Sequence, residues 1–189
     1  MNFCSHCGSS ALEHRIPEGD TLPRWICSNC GTVHYQNAKI VVGCLPVWQG
    51  DVLLCKRAIE PRKGLWTLPA GFLENGETLA AGALRETLEE ADARVAIEGL
   101  YTVISLPHIS QVYVMFRSTL DDLDFGPGTE SLEVALFREE DIPWDRLAFR
   151  TITRTLRYYF LDRKLGNFPV HLSAIERRAA VKPEAAGAA

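Results

Sequence analysis

The sequence predicts an α+β domain that follows a small metal-binding module. Four of the six cysteines fall within the first 38 residues, in two Cys-x-x-Cys-Gly turns that a metal ion can hold together. From Lys39 onward, β-rich segments are combined with two segments that have helical spacing of apolar residues. Strands and helices in one chain of this size favour a sheet packed against helices.

The composition is that of an ordinary globular protein. Of the 189 residues, 47% are hydrophobic and 23% are charged, and no apolar stretch approaches the roughly 20 residues that a membrane span needs. We therefore expect no membrane partner. The first residues lack the basic start and apolar core of a secretory signal, so a cytoplasmic location with reduced thiols is expected.

The net charge narrows the choice of ligand. The chain has a formal net charge of −4 at pH 7, whereas proteins that coat nucleic acid need a basic surface to displace counterions. Nucleic acid is therefore not the expected main partner. A small anionic ligand fits if a metal ion offsets its charge.

A change of composition after residue 38 suggests the domain boundaries. Residues 1–38 contain few aliphatic side chains and several turn formers, so a bound metal would replace an apolar core. We expect the main domain to span residues 39–178. Residues 179–189 are expected to form a disordered tail.

Several segments of the main domain have the pattern of β-strands. Residues 40–47 and 51–55 flank the turn pair Gln49-Gly50, which predicts a hairpin. A strand or strand end is expected near Trp66, before a glycine-bounded loop. Further extended segments are predicted at 95–106, 111–120 and 133–137.

Two segments have helical spacing. Between Thr78 and Ala91, the residues Leu84, Leu88 and Ala91 are four and three apart, which predicts a helix that buries this stripe. A second packing helix is predicted at 151–164. Its apolar residues at helical spacing are Ile152, Leu156, Tyr159 and Phe160.

The first predicted helix carries a cluster of carboxylates. Glu86, Glu89 and Glu90 are at i, i+3 and i+4, so their side chains leave one face of the helix. Their mutual repulsion would be reversed by a divalent cation such as Mg²⁺, which prefers oxygen ligands. Glu77 precedes Arg85 by two helical turns, and a curled loop would bring the two together as a structural ion pair.

This stretch resembles the signature of the Nudix family, which reads Gly, five residues, Glu, seven residues, Arg-Glu, two residues and Glu-Glu. Thr87 and Ala93 replace residues that are aliphatic in the family, and Asp92 replaces a glycine. Asp tolerates the left-handed backbone that glycine supplies after a helix, so Asp92 should affect stability rather than chemistry. The fixed positions are all present: Gly71, Glu77, Arg85, Glu86, Glu89 and Glu90.

The resemblance implies a fold, an activity and roles for residues. The fold is an α/β/α sandwich with a mixed central sheet, and the activity is hydrolysis of a phosphoanhydride. Glu86, Glu89 and Glu90 would bind Mg²⁺ or Mn²⁺, and Glu89 or Glu90 would orient the attacking water. Glu130 aligns with a downstream metal-binding glutamate of zinc-containing members, and Glu133 is the alternative. Glu89, Glu90 and Glu130 are thus the expected catalytic residues.

The cysteine turns predict a structural zinc site. Two Cys-x-x-Cys-Gly turns can close a tetrahedral Zn²⁺ site, which makes residues 1–38 a zinc ribbon. A redox dithiol fits less well, because two matched pairs lie in a region without an apolar core. Cys44 and Cys55 lie in predicted strands and are expected in the core. The expected ligands are Cys4, Cys7, Cys27 and Cys30.

A zinc ribbon before a Nudix domain resembles the group that contains FAD and NADH pyrophosphatases. This resemblance implies a nucleotide substrate such as FAD, ADP-ribose or NADH, with AMP or another nucleoside monophosphate as a product. Arg57, with Arg62 and Lys63, is a candidate to meet phosphate charge. A base or flavin ring needs a stacking partner, for which Trp66, Phe72, Tyr101 and Tyr113 are the candidates.

Two further functions stay open at this stage. A non-catalytic regulator would use the Nudix fold to sense a nucleotide and the ribbon to contact nucleic acid or protein. An RNA-end hydrolase would act on nucleotide-capped transcripts, but the sequence shows no basic track for RNA. Many relatives of this group are dimers, so a homodimer is an expectation for the oligomeric state.

Overall fold

The chain forms two separate units in this computed structural model, which describes residues 1–176. The first unit ends at Ala38 and the second begins at Lys39. The tail predicted for residues 179–189 lies outside the described residues. Among residues 1–176, no helix is long and apolar enough to cross a membrane.

The first unit contains a three-stranded antiparallel sheet. Its strands are β1 (Leu12–Arg15), β2 (Arg24–Cys27) and β3 (Val33–His34), and β2 lies between the other two. Ile26 is the large aliphatic side chain that this unit buries, together with Cys4 and Cys27. Such a small apolar core cannot balance the entropy lost on folding, so a metal ion must contribute.

The second unit is built on an eight-stranded mixed sheet. Its strands are β4 (Lys39–Trp48), β5 (Asp51–Arg57), β6 (Trp66–Thr67), β7 (Ala70–Phe72), β8 (Val95–Leu106), β9 (Gln111–Leu120), β10 (Ser131–Phe137) and β11 (His171–Ala174). Across the sheet the order is β10-β5-β4-β9-β8-β11, with β6 paired to β5 and β7 paired to β4. The pairs β4–β9 and β8–β11 are parallel, and the other neighbours are antiparallel.

The hairpin predicted around Gln49-Gly50 is confirmed. Trp48 faces Asp51 across a two-residue turn. Gln49 and Gly50 both have positive φ angles, 50° and 94°. This is the geometry of a type I′ turn, whose twist matches that of the flanking strands.

Two helices cover opposite faces of the sheet. They are α1 (Leu79–Ala91) and α2 (Arg150–Leu165). Because side chains alternate along a strand, Cys44 of β4 packs on the α1 side and its neighbour Leu45 on the α2 side. The predicted α/β/α sandwich with a mixed sheet is therefore confirmed. The apolar residues predicted for α2 are all buried: Ile152, Leu156, Tyr159 and Phe160.

The ends of α1 follow the sequence closely. Thr78 caps the first turn, because its Oγ1 accepts a hydrogen bond from the Ala81 N–H at 3.1 Å. Asp92 ends the helix in the left-handed region, at φ 46°, and its N–H donates to the Leu88 carbonyl. Asp92 thus takes the conformation that the sequence predicted for it.

The buried face of α1 differs from the predicted one. Leu88 is 49% exposed and Leu84 is also exposed, whereas Ala91 is buried as expected. The helix lies so close to β4 that a Cβ at Gly82 would approach Val42 Cγ2 to 2.9 Å. Only small residues fit such a contact, and the glutamates take the rest of the buried side. The two leucines are therefore left facing outward.

The observed buried face of α1 predicts that two substitutions will change the free energy of unfolding by different amounts. Ala83→Leu should lower the free energy of unfolding by about 1–3 kcal/mol, because the buried contact cannot accept a larger side chain. Leu88→Gln should change it by no more than about 0.5 kcal/mol, because Leu88 already meets solvent. Urea denaturation of both variants measures the difference. A larger loss for Leu88→Gln than for Ala83→Leu would contradict the observed face.

Candidate active site

Arg85 joins α1 to the loop that precedes it. Its Nε and Nη2 donate to the two carboxylate oxygens of Glu77, at 3.1 and 2.8 Å. Nη2 also donates to the Phe72 carbonyl at 3.2 Å. Glu77 in turn accepts from the Glu74 N–H at 2.7 Å. The Arg85 guanidinium, as the main cause, lowers the pKa of Glu77, so this carboxylate stays ionised and keeps the loop curled against the helix.

The three helix glutamates occupy different surroundings. Glu90 is buried, and its Oε2 accepts from the Ala70 N–H at 3.2 Å. Glu86 is also buried, next to Gly71, where any Cβ would overlap the Glu86 carboxylate. The Glu89 side chain is 59% exposed. The glycine of the signature thus leaves the space that Glu86 occupies.

Burial of two of these carboxylates has an electrostatic cost. Burial, with smaller contributions from the Glu86 and Glu130 carboxylates, raises the pKa of Glu90 to about 8. Burial likewise raises the pKa of Glu86, and the Arg85 guanidinium opposes this shift. Arg85 Nη1 lies 2.7 Å from Glu86 and 3.0 Å from Glu89. The site is therefore one that a cation stabilises.

The loop before β10 is fixed to the C-terminal end of α1. The Gly126 N–H donates to the Ala91 carbonyl at 2.9 Å, and the Gly128 N–H donates to the Glu90 carbonyl at 3.1 Å. A Cβ at Gly128 would overlap the Glu89 carbonyl, so only glycine allows this approach. These contacts satisfy carbonyls at the helix end and place Glu130 beside the helix.

A cleft of about 1170 Å³ brings most of the predicted site residues together. Glu133 lies outside this lining, and its Oε2 pairs with Lys56 Nζ at 3.0 Å. Of the basic candidates, Arg57 and Arg62 line the cleft. The carboxylates in the lining include Glu86, Glu89, Glu90 and Glu130.

The aromatic candidates are divided between cleft and core. Phe72 lines the cleft, is half exposed, and has the Lys39 ammonium 5.0 Å from its ring centre. Tyr113 also lines the cleft. Trp66 is buried in the core on the α2 side, where it meets Phe137 edge to face at 4.9 Å. The structure therefore places Phe72, but not Trp66, where a ring could stack.

Sequence reasoning missed one wall of the cleft. Phe149, Arg150 and Thr151, at the beginning of α2, line the cleft from far along the chain. Thr151 is 1% exposed, and its Oγ1 has no hydrogen-bond partner among residues 1–176. The phenyl ring of Phe149 offers no acceptor to the first N–H groups of the helix. Phe149 belongs to a segment, Leu147-Ala-Phe149, that resembles the zinc-ribbon Nudix group, but no motif marks Arg150 or Thr151, so only the fold could identify those two.

The four predicted zinc ligands converge in the first unit. Their sulfur atoms all lie within 4.8 Å of one another, with Cys7–Cys27 at 3.6 Å and Cys4–Cys30 at 3.7 Å. Tetrahedral Zn²⁺ with bonds of about 2.3 Å separates its sulfur ligands by about 3.8 Å. The Thr32 hydroxyl, as the main cause, lowers the pKa of Cys30 to about 6, which favours a thiolate ligand.

Comparison with known families agrees with this geometry. A model of the NUDIX domain matches residues 38–160, and a model of the Nudix N-terminal zinc ribbon matches residues 2–36. The chain belongs to the Nudix family. The zinc ribbon and the Nudix fold predicted from the sequence are thus both confirmed.

Similar proteins place the chain within this family. A crystal structure of a NUDIX hydrolase from Nitrosomonas europaea is 61% identical, with a TM-score of 0.90, and the match covers 94% of this chain and 100% of that one. The NAD-capped RNA hydrolase NudC of Salmonella heidelberg is 29% identical over 75% of this chain and 53% of its own. The chain therefore spans about half the length of the curated relatives it matches. An ADP-ribose pyrophosphatase of Streptococcus suis, 18% identical, covers 72% of this chain and 99% of its own, with a TM-score of 0.61, and shares the fold.

The contacts of Arg85 in the Nudix helix predict a strong preference for arginine. Arg85→Lys should lower the free energy of unfolding by about 1–3 kcal/mol, because an ammonium cannot bind both oxygens of Glu77 and the Phe72 carbonyl. Arg94→Lys is the matched control, since the Arg94–Asp122 pair is solvent-exposed. The control should lose no more than about 0.5 kcal/mol. Equal losses in urea denaturation would contradict a special role for Arg85.

Zinc removal from the Nudix N-terminal unit should unfold that unit first. Cys7→Ser, or treatment with a chelator, should increase amide exchange in β1 and β2 by about a hundredfold or more, because the metal replaces an apolar core. Exchange in β4 and β9 should change little. Zinc content by atomic absorption provides the control, and Cys44→Ser should keep the metal. Unchanged exchange in zinc-free protein would refute the structural role.

Proposed function

We propose that this chain is a Mg²⁺-dependent pyrophosphohydrolase that cleaves the diphosphate linkage of a nucleotide joined to a second group. The observation that carries the proposal is the set of four carboxylates, Glu86, Glu89, Glu90 and Glu130, that line one cleft. Burial raises the pKa of two of them, Glu86 and Glu90, and a bound cation would offset this cost of ionisation. The proposed zinc ribbon spans residues 1–38, and the proposed hydrolase domain spans 39–178.

The chemistry of the donor set fits Mg²⁺ or Mn²⁺. Carboxylate oxygens are the ligands that these ions prefer, and substrate phosphates complete their coordination. Glu86, Glu90 and Glu130 would bind the metal together with Glu89. When bound, the metal supplies charge neutralisation at the phosphates and a more acidic water. Arg85 Nη1 donates to both Glu86 and Glu89, at 2.7 and 3.0 Å, and so supplies positive charge between these two carboxylates.

The residues of the cleft would have different roles in the reaction. A water oxygen attacks one phosphorus, the bridging P–O bond breaks, and the second phosphate leaves with the bonding electrons. Glu89 is the helix glutamate that reaches solvent, so it is best placed to accept the proton from this water. Arg57, at the end of β5, and Arg62, in the loop that follows, would face the phosphate charge.

The substrate class follows from the walls of the cleft. Phe72 and Tyr113 present rings that a base can stack on, and the beginning of α2 offers N–H groups and the Thr151 hydroxyl. FAD, ADP-ribose and NADH combine such rings with a diphosphate, and each would release AMP. The cleft volume of about 1170 Å³ is sufficient for a ligand of this size.

A second candidate substrate is NAD-capped RNA. The similarity to the NAD-capped RNA hydrolase NudC of Salmonella heidelberg favours it. The same diphosphate chemistry would then act at an RNA end. A nucleotide-sensing regulator remains the non-catalytic alternative, and cytoplasmic location and a homodimer remain predictions.

A substrate panel tests the proposed function. Purified protein with Mg²⁺ is incubated with FAD, ADP-ribose, NADH, a diadenosine polyphosphate and NAD-capped RNA, and AMP and the second product are quantified. Turnover of a free dinucleotide or sugar nucleotide supports the proposal. Turnover of capped RNA alone supports the second candidate. No turnover together with tight binding of one compound supports the sensor.

Substitution of the cleft carboxylates tests which of them act in catalysis. The double variant Glu89→Gln, Glu90→Gln should lower kcat by about a thousandfold or more, because charge neutralisation and water activation are both lost. Glu130→Gln should lower kcat by about a hundredfold. Glu133→Gln, outside the cleft, should stay within about twofold of the wild type. Circular dichroism checks the fold, and an active double variant would overturn the mechanism.

A further inference from the structure

The edge strand β11 buries little surface of its own. It has four residues and, in the described part of the chain, pairs with β8 alone. Its Leu172 side chain is 79% exposed. A short edge strand of this kind opens readily unless other groups hold it. The contacts that hold β11 come from α2.

The first of these contacts joins the start of β11 to a buried carboxylate. His171 Nε2 lies 2.6 Å from Asp162 Oδ2, and the imidazole stacks on Tyr158 with ring centres 3.9 Å apart and planes within 3°. The same Asp162 oxygen accepts the hydroxyl of Tyr101 at 2.7 Å. Asp162 is buried, so it depends on these two partners for its solvation.

A second contact holds the other end of the strand. Arg154 Nη1 donates to the Ala174 carbonyl at 2.8 Å and to Ser173 Oγ at 3.3 Å. Arg154, Tyr158 and Asp162 are spaced by four residues, so they form one stripe along α2. This stripe contacts β11 from its first residue to its last.

The strand leads directly into the cleft. His171 and Ser173 point towards α2, and Ile175 follows on the same side because side chains alternate along an extended chain. The Ile175 N–H donates to the Ser105 carbonyl at 2.9 Å. Ile175 and Glu176 line the cleft. The position of this cleft wall therefore depends on how β11 is held.

We propose that His171, Asp162 and Arg154 are positioning residues for substrate binding, because they hold β11 so that Ile175 and Glu176 form one wall of the cleft. The kinetic part of this inference rests on the proposed hydrolase function. Ile175 supplies an apolar surface, and the Glu176 carboxylate can accept hydrogen bonds from ribose hydroxyls or an amide.

This wall is separate from the reacting centre. The proposed catalytic carboxylates lie on α1 and on the loop before β10. The hydrogen bonds of the α2 stripe go to β11 and to Tyr101 instead. Loosening β11 should therefore weaken binding of the substrate and leave the chemical step intact. The expected signature is a rise in KM without an equal fall in kcat.

His171→Leu tests the inference, because leucine keeps an apolar contact with Tyr158 and removes the hydrogen bond to Asp162. The amide of Ile175 should exchange about tenfold faster than in the wild type. KM for the best substrate of the panel should rise about fivefold, with kcat within about twofold. His171→Gln, which can still donate to Asp162, should restore most of both values.

Two further variants keep the test decisive. Arg154→Met should act in the same direction from the other end of β11, and it replaces His171→Leu if that variant does not fold. Arg163→Met is the matched control for Arg154→Met, because Arg163 lies on the same helix but its hydrogen bonds go to the Gly50 carbonyl at 2.7 Å and to Glu139 at 3.1 Å rather than to β11. The control should change neither Ile175 exchange nor KM by more than about twofold.

The outcomes separate this inference from the proposed function. If the wild type turns over no substrate, the proposed function fails, and faster Ile175 exchange in His171→Leu alone supports the strand-holding role. Equal loosening of β11 by Arg163→Met would overturn that role. Faster exchange with an unchanged KM in an active enzyme would overturn the assignment of Ile175 and Glu176 to substrate binding.

Discussion

The candidate active site depends on one guanidinium group. Arg85 binds Glu77 through two parallel hydrogen bonds and reaches the Phe72 carbonyl, so a loop that has no regular structure is fixed to the helix. The same group lies between Glu86 and Glu89 and supplies positive charge where carboxylates crowd together. Without it, the loop would be free to move and the carboxylates would repel one another. Geometry and electrostatics of the site are thus set by the same side chain.

Local patterns predicted the elements well because short-range physics determines them. The turn pair Gln49-Gly50 acts within a few residues and behaves as expected. The helix predicted from Thr78 begins one residue later, because Thr78 caps its first turn. The buried face of α1 was predicted wrongly for a long-range reason. Leu84 and Leu88 are, with Leu79, the most apolar residues of the helix, but the helix lies so close to β4 that it turns its small residues towards the sheet. The spacing of apolar residues predicts a helix, but it contains no information about how closely that helix packs against the sheet.

The sequence predicted those residues of the candidate site that lie close together in one segment of the chain, and it missed those that come from distant segments. The spacing of Glu86, Glu89 and Glu90 follows from helix geometry, and the structure places all three in the cleft. Thr151 reaches the same cleft from a distant helix, and no spacing rule connects it to the glutamates. Trp66 has an aromatic ring that could stack on a base, but its side chain lies in the core. Side-chain direction along β6 could not be read from two residues.

The attachment of the Glu130 loop to the end of α1 has a consequence for how this protein can change over evolution. Gly126 and Gly128 bind the carbonyls of Ala91 and Glu90, and the Glu130 carbonyl accepts from the Ala58 N–H, so the fourth carboxylate takes its position from α1 and from the end of β5. The intervening hairpin of β8 and β9 does not set that distance. Insertions or deletions between Asp92 and the loop would therefore lengthen or shorten the sheet and leave the spacing of the four carboxylates intact.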